Sequence, residues 1–218
     1  MSSPTRLRRL LAPALLVLLG AQALPAADLP RISYSKAFPK STPAFVAITV
    51  AKDGNSEYRE SLEEEPLRFQ LTAKETGELF ALADKLDRFK RPLESKLKVA
   101  NTGIKTFRWE SGAEKHEVQF NFSQDVDARV LWDWFERITE SERHRINLER
   151  SARFDKLGIN DALLQLEVSH DRARLVAPAQ FLPILDRIIK NQSFLHMARA
   201  RASKLADAFR AGADGTTE

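Results

Sequence analysis

The sequence predicts an α+β fold: an antiparallel sheet in the order ββββ-α-ββ-α, covered on one face by two helices and followed by a C-terminal helical region. Three observations lead there. Between Ile32 and Phe122 apolar residues alternate with polar ones at period two, interrupted by one stretch of helical period. From Gln124 onward the period is helical throughout. Tight-turn signals at Asp53-Gly54-Asn55 and Gly112-Ala113 join strands that must then run antiparallel.

The chain opens MSSPTRLRRLLAPALLVLLGAQALPAADLP. Arg6, Arg8 and Arg9 precede an apolar run from Leu10 to Leu19, and Ala21-Gln22-Ala23 fits a signal-peptidase site. Residues 1–23 are therefore expected to be a signal peptide, with cleavage as late as residue 27. The run is shorter than the about 20 apolar residues that span a bilayer, and no later segment qualifies. The mature chain is expected to be secreted or periplasmic, with no transmembrane segment.

Charge and cysteine content narrow the function classes. The chain has 34 Lys+Arg and 30 Asp+Glu. Without Arg6, Arg8 and Arg9 the balance is 31 to 30, so the basic character belongs largely to the leader and no nucleic-acid partner is expected. With no cysteine, the protein has no disulfide, thiolate metal site or catalytic thiol.

Taken in order, Ile32–Lys36 reads as a strand. Phe45–Ala51 and Ser56–Glu60 flank the first turn, and Leu67, Phe69 and Leu71 mark a fourth strand. Between the third and fourth strands Glu63-Glu64-Glu65-Pro66 reads as a solvated turn. Thr72-Ala73-Lys74-Glu75 is a capping box, and Leu79, Phe80, Leu82, Ala83, Leu86 and Phe89 give the helix behind it an apolar face. With Gly112-Ala113 as a two-residue loop, Glu110 faces Lys115, Trp109 faces His116, Arg108 faces Glu117 and Phe107 faces Val118. Charges then share one face and aromatics the other. A helix starts at Ser123 or Asp125. Thr139-Glu140-Ser141-Glu142 repeats the capping-box pattern, which leaves open whether that helix restarts there or runs on.

Beyond it, Leu157-Gly158-Ile159 is a stop, Asn160 an expected N-cap, Pro178 a helix start, and Pro183 a bend or a delayed start. The last helix is expected to end near Arg210. The expected organisation is an α+β domain over 28–140, a helical region over 141–212 packed on it, and a flexible tail over 213–218.

Catalytic signatures are missing. No G-x-S-x-G, H-E-x-x-H, P-loop, G-x-G-x-x-G or EF-hand pattern occurs. His116, His144, His170 and His196 have no histidine three or four residues on, so no local metal pair exists, and neither cofactor nor metal is expected. The most charged connection is Phe89–Trp109, with six basic residues against Glu94. Lys90, Arg91, Lys96, Lys98 and Lys105 are the candidates for binding an anion there, with Arg108 taken up by Glu117. Leu93, Leu97 and Val99 are the candidates to pin the loop. Lys105 falls on the apolar face opposite Phe120 and is expected to reach out past the sheet end. Trp132 points away from Trp134 and is a candidate partner surface.

Ile32–Phe38, Asp53–Tyr58 and Gly103–Gly112 together resemble uncharacterised secreted bacterial proteins of the domain-of-unknown-function kind. That resemblance implies a strand, a turn and a hairpin, and carries no activity. Phe181–Phe209 is similar to a single HEAT-like helical hairpin, although a plain helix pair accounts for it because a solenoid needs about three repeats. The expected function is that of a non-enzymatic binding or interaction module of the cell envelope, its partner a protein or an anionic envelope component. The alternatives are an envelope hydrolase with a dispersed carboxylate site, or an inhibitor or chaperone that adds a strand at the edge formed by Ile32–Lys36.

Overall fold

The computed structural model describes residues 29–214. The expected signal peptide and residues 215–218 of the expected tail lie outside the described residues. Six antiparallel strands are formed: β1 (Arg31–Ala37), β2 (Phe45–Ala51), β3 (Asn55–Arg59), β4 (Leu67–Gln70), β5 (Ile104–Ser111) and β6 (Glu114–Phe120). Helix α1 (Ala73–Lys85) follows β4. After β6 come α2 (Val126–Phe154), α3 (Ile159–Asp171), α4 (Leu182–Lys190) and α5 (His196–Asp214).

The sheet order is β4-β3-β2-β1-β5-β6. This corrects the reading of Ile32–Lys36 as an edge. β1 pairs over its whole length with β2 on one side and β5 on the other. A central strand in a sheet covered on one face alternates in the same way as an edge strand, so its pattern does not tell them apart. The exposed edges are β4 and β6. The β5–β6 register is the expected one, with Phe107 opposite Val118 and Glu110 opposite Lys115. Gly112 takes φ 55°, which the first position of the turn requires.

One sheet face carries Ile32, Tyr34, Ile48, Tyr58, Phe69, Phe107, Trp109 and Phe120. It packs on Leu79, Phe80 and Ala83 of α1 and on Leu131, Phe135 and Ile138 of α2. Tyr34 stacks on Phe135 with ring centroids 4.7 Å apart. Helix α1 has the expected capping box, Thr72 accepting from the Glu75 amide at 3.2 Å and the Glu75 carboxylate accepting from Thr72 N–H. It stops at Lys85, short of the expected Phe89, because Asp87, Arg88 and Phe89 turn into the left-handed region.

Helix α2 is uninterrupted from its N-cap, Asp125. The Thr139 hydroxyl, which a restart would use as its cap, donates instead to the Phe135 carbonyl at 2.9 Å, and the Ser141 hydroxyl donates to the Arg137 carbonyl at 2.9 Å. The helix therefore runs through the expected domain boundary and serves two cores. Ala128–Ile138 belong to the sheet core. Leu148 belongs to a second core with Leu163, Leu166, Phe181, Leu185, Ile188, Leu205 and Phe209.

The return chain is stitched to α2 and α1. Val176 N–H donates to Ser141 Oγ at 2.9 Å, Ala177 N–H donates to Glu75 Oε1 at 2.9 Å, and both residues join the sheet core. Asn160 is not the cap of α3, which starts one residue earlier behind Gly158. Pro183 delays α4, a 3-10 turn at Pro178–Phe181 coming first. Helix α5 runs to Asp214, past the expected end.

Candidate functional site

The basic connection after α1 is tied down more tightly than its composition suggests. Of its three expected apolar anchors only Leu93 is buried, while Leu97 and Val99 are exposed. Polar bonds do the rest. Asn121 accepts from Thr102 N–H at 2.8 Å and donates to the Ala100 carbonyl at 3.0 Å, and Ser95 N–H donates to the Phe122 carbonyl at 2.7 Å.

The five anion-site candidates are not presented together. Lys90 pairs with Glu114 at 3.1 Å and Arg91 pairs with Asp125. Lys96 and Lys98 are exposed. Lys105 does not reach past the sheet end. It is fully buried, its Nζ donating to Thr102 Oγ1 at 3.0 Å, the Gly103 carbonyl at 3.2 Å and the Asn121 carbonyl at 2.7 Å. Burial, followed by the neighbouring Lys36, lowers its pKa. Arg108 pairs with Glu110 on its own strand at 2.6 Å, not with Glu117.

Trp132 is not a free surface either. It is half-buried against the sheet core, with the Lys105 ammonium 4.5 Å from its ring centroid and its Nε1–H donating to Glu136 Oε1 at 2.9 Å. The same carboxylate accepts from the Tyr34 hydroxyl at 3.0 Å and from Lys36 at 3.1 Å. Burial and then Glu136 hold the Tyr34 phenol well above its ordinary pKa.

A polar groove of about 560 Å³ lies along α2, lined by Glu60, Glu136, Glu140, His144, Gln165 and Arg174 among others. Two of its lining residues, Glu140 and His144, contact the buried Ser169 behind them, in an order unsuited to nucleophilic catalysis. Ser169 donates to Glu140 Oε1 at 2.9 Å and lies 2.8 Å from His144 Nε2. The serine has one proton. With that proton directed at the Glu140 carboxylate, His144 Nε2 is the donor in the second bond and cannot serve as base. Burial lowers the His144 pKa, which keeps the ring neutral. The lining carboxylates are also engaged: Glu140 by Arg174 at 3.0 Å, Glu136 by Lys36, and Glu60 by the Tyr58 hydroxyl at 2.7 Å. Glu142, which burial pushes up to about 7 against the pull of Arg145 and Gln180, does not line this groove and is completely buried. Among the described residues no three His, Asp or Glu side chains gather as a metal site, and no helix is long and apolar enough to cross a membrane.

A second groove has a volume of about 610 Å³. It runs between α2 and α4, with Leu67 of β4 at one end. Its floor and walls are Leu67, Ile146, Phe154, Pro183 and Ile184, and its charged groups are Arg145, Arg150, Arg153 and Arg187 against Glu149 alone. Helical spacing puts Ile146, Arg150, Arg153 and Phe154 on one side of α2, while Pro183, Ile184 and Arg187 come from α4.

Two of these arginines hold the walls together, Glu149 accepting from Arg153 at 2.9 Å and from Arg187 across the groove. Arg145 reaches inward to Glu142 Oε2 at 3.0 Å and caps the Arg68 carbonyl of the β4 edge at 3.1 Å. Arg150 bonds Asn147 at 3.2 Å and has no carboxylate within ion-pair distance among the described residues. Phe154, one of the lining residues, is 82% exposed. Arg145, Arg150 and Arg153 lie on α2, where no sequence motif singles them out. Only the packing of α4 on α2 adds Pro183, Ile184 and Arg187. No protein-family model matches the chain, and no curated protein matches it.

Proposed function

We propose that the chain is a non-enzymatic, extracytoplasmic binding module of the cell envelope, and that the groove between α2 and α4 takes an acidic protein segment bearing an apolar anchor. The observation that carries this reading is the composition of the groove: an apolar floor under four arginines and one glutamate. Arginine over apolar surface is the composition of interface hot spots, because its stem packs while its fork recognises carboxylates. Phe154 within that lining is exposed and presents apolar area of the kind that a partner covers. The extracytoplasmic setting rests on the leader pattern of residues 1–23.

The test is fluorescence anisotropy of the mature chain with a labelled glutamate–leucine peptide and its lysine–leucine counterpart. The acidic peptide is expected to bind, more weakly as salt rises, and to lose at least tenfold in affinity to the variant R150E/R153E. Equal binding of both peptides, or none of the acidic one, overturns the reading.

A further inference from the structure

The groove is matched by a segment of the chain itself. The loop between β3 and β4 reads Glu60-Ser61-Leu62-Glu63-Glu64-Glu65-Pro66. Leu62 is 72% exposed, and Glu63, Glu64 and Glu65 are exposed with no ion pair among the described residues. A large apolar side chain next to three unpaired carboxylates has the chemistry the groove lacks: an anchor for the apolar lining of Ile146, Phe154 and Ile184, and charge for Arg150, which has no carboxylate among the described residues, and for Arg153 and Arg187, which share the single Glu149. The loop does not occupy the groove of its own chain, since Leu62 stands in solvent. The leader is the wrong occupant on charge, as Arg6, Arg8 and Arg9 would meet the groove arginines.

Placement supplies the second argument. The loop runs directly into Leu67, which lines the groove. Loop and groove therefore share a rim, and a two-fold axis beside that rim sets each loop of a pair into the groove of the other. That is the self-complementary arrangement an isologous dimer requires.

We infer that two copies of the chain associate by this reciprocal exchange, Leu62 seated between α2 and α4 of the partner and Glu63–Glu65 on its arginines. The inference rests on the proposed use of the groove and names the occupant. The contact is small, so association is expected on the order of 10–100 µM, and weaker as salt rises.

The test is sedimentation velocity of the mature chain across that concentration range, with two charge-reversed variants. Dimer is expected for the wild type and is expected to be lost in E63K/E64K/E65K, an exposed-loop change that leaves both cores untouched, and in R150E/R153E. An equimolar mixture of the two variants is expected to restore it, because each reversed loop then meets a reversed groove and each native loop a native one. A wild type that stays monomeric throughout, or a mixture that fails to associate although the wild type does, overturns the inference. A monomeric wild type that still binds the acidic peptide overturns the exchange alone and leaves the groove to another chain. If neither loop nor peptide binds, the reading of the groove falls with it.

Discussion

Lys36 and Lys105 face each other directly across β1 and β5, both on the helix-covered side of the sheet. Like charges directly opposite one another destabilise a sheet unless a counter-charge intervenes. The counter-charge is Glu136 of α2, bonded to Lys36 at 3.1 and 3.3 Å, while Lys105 turns away into three oxygen acceptors.

Glu136 therefore holds the sheet to the helix through charge as well as packing. The variant E136Q leaves Lys36 without its carboxylate and weakens the bonds from Tyr34 and Trp132. It is expected to cost about 1–3 kcal/mol in urea denaturation. Adding K36M should return part of that loss, since no unpaired cation then remains. A double-mutant cycle showing no coupling between Glu136 and Lys36 would contradict this account.

Asn121 is expected to govern the order of the basic connection. Its side chain ties Thr102 and Ala100 together, close to where Lys105 bonds its backbone carbonyl. The variant N121A should free residues 95–102, at a cost of about 1 kcal/mol, and speed limited trypsin cleavage after the exposed Lys96 and Lys98. Cleavage there at the wild-type rate would show that Leu93 and the backbone bond of Ser95 hold the loop without Asn121.

The difference between what the sequence shows and what it hides follows the range of the interactions. The β5–β6 register is legible because the turn, the charge pairs and the aromatic face all lie within twenty residues and agree. The capping box of α1 is legible for the same reason. Strand order is not, since β1 meets β5 across 67 to 79 residues and its alternation suits an edge or a centre. Lys105 misleads because a lysine opposite Phe120 has two outcomes, escape to solvent or burial against carbonyls, and the deciding carbonyl belongs to Asn121. The groove is hidden for a related reason. No sequence motif singles out Arg150 and Arg153, and the groove forms only where α4 packs beside them.

The end of α3 offers a stabilising substitution. Arg174 N–H donates to the Ser169 carbonyl at 2.9 Å and Ala173 N–H to the His170 carbonyl at 2.8 Å, the paired bonds of a Schellman motif. The left-handed position in that motif is Ala173, with φ 53°, where glycine is free of the Cβ clash. Ala173 is exposed, so its methyl contributes no packing. The variant A173G is expected to raise stability by about 1 kcal/mol and Tm by a few degrees. A fall in Tm would mean that the added chain entropy of glycine in the unfolded state outweighs the relief.

Two residues two positions apart on α2 should tilt stability with pH in opposite directions. Burial pushes the Glu142 carboxyl from 4.5 up to about 7. The native state then binds a proton that the unfolded state has already released. The stability Glu142 contributes is fully present below about pH 4.5 and is lost as pH rises through about 7. Burial lowers the pKa of His144 below 6.5, so its contribution is present above that value and is lost as pH falls through the native pKa. The displacement at Glu142 corresponds to roughly 3 kcal/mol between pH 4.5 and pH 8. Denaturation of E142Q beside the wild type should show the variant gaining relative stability as pH rises from 5 to 8. The variant H144Q, which keeps a donor for Ser169, should lose less stability than the wild type between pH 7 and 5. Parallel pH profiles for wild type and E142Q would place the Glu142 carboxylate in contact with water or a second cation, contrary to its complete burial and to the unpaired state of Oε1.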